Sequence, residues 1–153
     1  MSGVRLVQWA RYLTLLVLMV ALLGVISNNL GLLDADCPYA VKVRRFAATL
    51  PTLFYIAAIW MIQRAHAAIA RGGAVEAALA TLLERLGLCL FLGGIARVFG
   101  QLWIIRLTLG APASWAWFDV GAMTLGSIGL LLFILARPLR DAAKARTELA
   151  EIL

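Results

Sequence analysis

A chain of 153 residues that is 63% hydrophobic holds more apolar material than a soluble core of that size can bury, since soluble domains run at about 45–50%. The net charge is +6, and the 14 basic residues stand at the ends of apolar blocks, not in a patch interleaved with aromatics. That distribution excludes nucleic acid as the expected partner and points to a bilayer with anionic head groups.

Taken in chain order, Val4 to Arg11 is a short amphipathic lead-in with Trp9 at an interfacial position. It runs into a first predicted span over residues 12–30, expected to be a retained anchor because it outruns a signal peptide and lacks a cleavage site. The loop 31–41 carries Asp34, Asp36, Cys37 and Pro38, residues of irregular backbone outside the bilayer. Cys37 in that loop and Cys89 inside an apolar block lie at depths that do not bridge.

The second predicted span is 46–63, preceded by Lys42, Arg44 and Arg45, with Pro51 expected to bend it. Gln63, Arg64, His66 and Arg71 mark its inner end, and Gly72 and Gly73 stop it. Residues 74–85 restart as an amphipathic helix, with Val75, Leu79, Leu82, Leu83 and Leu86 on one face, expected to lie in the interface before the chain turns into a third span, 86–107.

Gly110, Pro112 and Ser114 predict a turn, and Trp103, Trp115 and Trp117 an aromatic belt. The fourth predicted span, 116–136, has Asp119 about one turn in, and after it 137–153, with Pro138 near its start, reads as a charged cytoplasmic helix. The predicted fold is all-α: one integral membrane four-helix bundle.

Orientation follows from counting. With the N-terminus cytoplasmic, the inner side receives nine basic residues (Arg5, Arg11, Arg64, Arg71, Arg85, Arg137, Arg140, Lys144, Arg146) and the outer side four (Lys42, Arg44, Arg45, Arg106), with Arg97 left within a span. Both termini are therefore expected in the cytoplasm of a bacterial inner membrane, although the Lys42 to Arg45 cluster runs against the trend.

Arg97 carries the most information. An arginine within a span costs about 2.5–3.5 kcal/mol on insertion scales, so it is expected to find a partner inside the protein. Asp119 is the only carboxylate placed within a span, and Gln101 stands one turn outward from Arg97. Two readings stay open for Arg97, Gln101 and Asp119: a polar pocket for a small anionic group or peptide end, or an ion pair that fixes the register of two helices. Gly93, Gly94 and Gly100 on the third span, with Ala122, Gly126 and Gly129 on the fourth, are small residues of the kind that let helices approach closely in lipid, either within the bundle or against another subunit.

The machinery of conventional membrane enzymes is missing. The single His66 argues against a haem bundle, the two separated cysteines against thiol redox chemistry, and the motifs of metal, phosphate and acyl-transfer sites are absent from the sequence. No catalytic residue, metal or cofactor is therefore expected.

The run Ile69 to Gly87, IARGGAVEAALATLLERLG, with Leu83, Arg85, Leu86 and Gly87 at the step into the third span, resembles the central motif of the DUF2975 family of bacterial four-helix membrane proteins. The closing stretch Ala136 to Leu153, ARPLRDAAKARTELAEIL, is similar to that family's last helix. The resemblance implies a fold and a membrane location and no catalytic residues. The functional expectation is a non-enzymatic accessory, sensor or regulatory protein that acts on a membrane protein partner or as a homo-oligomer. The alternative is a small proton-coupled transporter using a pocket at Arg97 and Asp119.

Overall fold

The computed structural model describes residues 2–30, 37–70, 75–110 and 118–152. Among them every regular element is helical: α1 (Ser2–Asn29), α2 (Tyr39–Ala70), α3 (Val75–Ile95), a five-residue π-helical turn (Ala96–Gly100), α4 (Gln101–Leu109) and α5 (Val120–Ile152). Four helical stretches are long and apolar enough to cross a membrane: Gln8–Asn29, Tyr39–Ala67, Leu79–Leu109 and Val120–Ala145.

Several expected boundaries shift. The break before the third span does not occur, and α3 runs from Val75 straight through Leu86. Leu82, Leu83, Glu84, Arg85 and Leu86 are all good helix formers, so nothing there interrupts the backbone ladder. The closing helix is likewise continuous with the fourth span through Pro138, and α2 runs unbroken through Pro51, whose ring is fully buried. The stops expected at Gly72 and Gly73, the polar loop with Asp34 and Asp36, and the belt residues Trp115 and Trp117 lie outside the described residues.

The helices pack in chain order. α1 rests on α2, α2 on α3 and α4, and α3 on α5 in the most extensive pairing. Pairings that would close the bundle, such as α1 or α2 against α5, amount at most to a glancing contact among the described residues. The bundle is thus an open row. One consequence is the exposure of α1: Leu13, Leu16, Val20 and Leu23 are exposed and, of its described side chains, only Leu18 is buried. Such an apolar surface is at home in lipid and not in water.

Glycine sets the tightest contact. A Cβ on Gly87 would stand 2.5 Å from both the Gly129 carbonyl oxygen and the Phe133 nitrogen, and one on Gly129 would stand 2.6 Å from the Phe91 nitrogen. A Cβ on Gly94 would stand 2.9 Å from both the Ala122 carbonyl oxygen and the Gly126 Cα. Backbone therefore lies against backbone along α3 and α5, the geometry that small residues permit where lipid supplies no hydrophobic drive.

Polar side chains gather at two levels. At one end Asn29 Nδ2 donates to Thr49 Oγ1 at 3.0 Å, and Arg45 Nη1 to the Asn28 carbonyl at 3.5 Å. At the other, Gln63 Nε2 donates to the Arg11 carbonyl at 2.8 Å, and Arg140 pairs with Glu84.

Gly87→Ala and Gly129→Ala force backbone apart, an overpacking of about 1–3 kcal/mol, and are expected to lower the thermal midpoint in detergent by several degrees. Gly24→Ala meets nothing within 4 Å and is expected to leave it unchanged. Equal midpoints for all three would contradict the close α3–α5 approach.

Candidate functional site

Arg97 lies in the π-helical turn, where the Gln101 N–H bonds back five residues to the Ala96 carbonyl. Single π turns insert one residue into a helix and re-aim the side chains around them. Here Ala96 and Val98 are buried on either side of Arg97, and the guanidinium between them turns toward the start of α5. Arg97 Nε donates to Asp119 Oδ2 at 3.2 Å, and Arg97 Nη1 to Gln101 Oε1 at 3.1 Å. The two side chains of the ion pair are about a third exposed, at 38% and 30%.

Asp119 sits differently from the sequence expectation. It stands immediately before α5, not one turn inside it. Its Oδ1 accepts the Ala122 N–H at 3.1 Å, while its own carbonyl accepts the first intrahelical bond, from Met123 N–H at 3.0 Å. These are the two marks of an N-cap, which satisfies one of the orphan donors at a helix start. The carboxylate thus uses one oxygen for the helix and the other for Arg97, and its charge also favours the positive end of the α5 dipole.

The Ala122 N–H, first, and then the Arg97 guanidinium hold the Asp119 carboxyl below its ordinary value of 3.8. Both favour the charged form. Asp119 itself precedes the Val120–Ala145 spanning stretch.

Tyr55 of α2 completes the surroundings. Its ring covers Gly93, whose hypothetical Cβ would stand 2.7 Å from Cε1, and its buried hydroxyl has no hydrogen-bond partner among the described residues.

The glycine stripe splits. Gly93 faces α2 and Gly94 faces α5, whereas a Cβ on Gly100 would come near only the Ala96 Cβ of its own turn, at 3.7 Å, among the described residues. Ala122, Gly126 and Gly129 are buried, the last two against α3. Gly87 belongs to the same contact; its seven-residue spacing from Gly94 was the available signal. The π turn and the Tyr55 hydroxyl had none, because both depend on which helix lies alongside.

A metal site is not built here: the described residues contain no group of three or more His, Cys, Asp or Glu side chains able to hold a metal ion. Comparison with known protein families, curated proteins and solved structures finds no match.

Two substitutions separate cap from charge. Asp119→Asn keeps a capping side chain and loses the ion pair, while Asp119→Ala loses both, so thermal stability is expected to fall in the order wild type, Asn, Ala. A carboxyl with a depressed folded-state value contributes stability that is whole above its unfolded value, near 3.8, and is lost as pH falls through the folded value. Wild type is expected to show that acid-side loss, reduced in Asp119→Asn, in midpoints measured from pH 7 to pH 3. Identical acid limbs would refute the pairing.

Proposed function

We propose that the chain is a non-enzymatic inner-membrane accessory or regulatory protein, with both termini cytoplasmic and the Arg97, Gln101 and Asp119 cluster locking helix register. The observation that carries this reading is the engagement of the cluster: both Asp119 oxygens are occupied, and Arg97 is held by Asp119 and Gln101 at once. A pocket awaiting an anion would leave its cation less well matched.

Depth supports it as well. From Asp119 to Arg140 an α-helix rises about 31 Å, at about 1.5 Å per residue, close to the hydrocarbon thickness of a bilayer at about 30 Å. With Arg140 taken as one boundary, Asp119 and its partner Arg97 would stand near the opposite hydrocarbon edge, where an ion pair is cheaper than at the midplane. The open row gives the accessory role its physical basis, since α1 and the outer face of α5 are left to lipid or to another membrane protein. Membership of the DUF2975 family, which the two stretches above resemble, is consistent with this placement and remains part of the proposal.

A proton-coupled transporter needs a carboxyl that gains and loses its proton near neutrality. Asp119, held low by its cap and by Arg97, is poorly suited to that. In liposomes, wild type and Asp119→Asn are expected to show the same absence of proton-driven flux, while mild-detergent copurification from native membranes brings down a defined membrane protein. A proton-dependent flux abolished by Asp119→Asn would overturn the accessory reading. Arg97→Leu is expected to impair assembly, read as a broadened or aggregated gel-filtration profile; normal assembly with loss of partner capture would make the cluster a binding site instead of a lock.

A further inference from the structure

A cavity of about 260 Å³ opens between α1 and α2, lined by Ala21, Gly24, Val25, Asn28, Thr49 and Thr52. Its walls differ along its length. Toward the middle of α1 they are Ala21, Gly24 and Val25, and a Cβ on Gly24 would meet nothing within 4 Å, so the slot there is open and apolar. Toward the end of α1 they are Asn28 and the two threonines of α2.

Arg45 stands beside that polar end, linked to it through Asn28. Its Nη1 reaches the Asn28 carbonyl at 3.5 Å, a long bond that leaves most of its five donors unused, and it has no carboxylate partner among the described residues. Lys42, Arg45, Thr49 and Thr52 recur three and four residues apart, so one face of α2 carries two cations and then two hydroxyls as it descends beside α1. The Lys42 to Arg45 cluster is also what runs against the charge asymmetry of the loops, so topology alone gives no reason for it.

We propose that this slot binds one anionic phospholipid, its phosphate held by Arg45, Lys42 and the Asn28 carboxamide and one acyl chain lying over Gly24 and Ala21. A guanidinium suits phosphate because its planar donors match two oxygens at once, and a basic recess between membrane helices attracts anionic head groups. The apolar floor discriminates a lipid from a free anion, because a soluble phosphate gains nothing from Gly24. The site is independent of the Arg97 cluster and of the accessory reading.

The test uses the full chain in mild detergent, offered equal amounts of phosphatidylglycerol and phosphatidylcholine and read by native mass spectrometry. Wild type is expected to retain one phosphatidylglycerol with a preference of about tenfold. Arg45→Gln is expected to bring the two lipids to parity. Gly24→Leu, which projects into open space and so leaves the fold intact, is expected to cut lipid retention several-fold without changing the oligomeric mass. The proposal is overturned if wild type shows no preference, if the preference survives Arg45→Gln, or if soluble glycerol phosphate displaces the lipid at equal concentration. It is also overturned if Gly24→Leu changes the oligomeric state, which would make a second helix the occupant.

Discussion

Backbone-to-backbone contact between α3 and α5 is the constraint on which the other arrangements depend. Gly87 and Gly129 bring main-chain atoms so close that no side chain fits between them, and Gly94 with Gly126 repeats the contact two turns further on. Once those pairs are seated, the helices have little freedom to slide, because a shift of one residue would drive a Cβ into a carbonyl. The polar pairs at the two ends of the interface follow. Arg97 meets Asp119 beyond the Gly94 and Gly126 pair, and Glu84 meets Arg140 at the opposite end.

The same logic gives the molecule its layers. Asn29 with Thr49, Arg45 with the Asn28 carbonyl, and Arg97 with Asp119 mark one level; Gln63 with the Arg11 carbonyl and Glu84 with Arg140 mark the other. Along α1, Arg11 to Asn28 rises about 25 Å at the helical pitch, comparable to the distance between the ion pairs along α5. Polar groups in a span are stable where they find each other or reach the boundary, and here each level does both. Between the levels the surface is apolar almost without interruption, which is why an open row, untenable in water, is physically sound in a bilayer.

The helices themselves were legible because span length and uninterrupted hydropathy are properties of the sequence alone. Arg97, Gln101 and Asp119 could be grouped in advance for a similar reason: a charge in an apolar run has few candidates for a partner, and Asp119 is the one carboxylate at the start of the fourth span, Asp141 lying at its far end. What could not be read was the manner of meeting. Asp119 looks from the sequence like a residue inside a helix, because Ala116 to Val120 contains nothing that stops one; only the start of α5 reveals it as a cap. The break expected before Leu86 failed because amphipathicity in Ala74 to Arg85 reports which face is apolar, not where a helix changes direction. Tyr55 is silent for the opposite reason, since a lone tyrosine in a span carries no periodic signal and its position over Gly93 is a fact about two helices at once.

Arg97 is therefore better understood from its neighbours than from its depth. In the sequence it is one charge in an apolar run; in the fold it is the donor between a helix cap and a glutamine, held in a π turn with buried residues on both sides. The π turn is the informative part. Inserting a residue into a helix perturbs the backbone ladder, and the perturbation is offset here because it lets Ala96 and Val98 stay buried while the guanidinium reaches the carboxylate that starts α5. The cations at the head of α2 differ on this point. Arg45 has one long bond to a carbonyl, lies on one stripe with Lys42, and stands at the mouth of a slot with an apolar floor. Arg97 is matched to a carboxylate and Arg45, among the described residues, is not, so Arg45 is where an anion from outside the chain has something to gain.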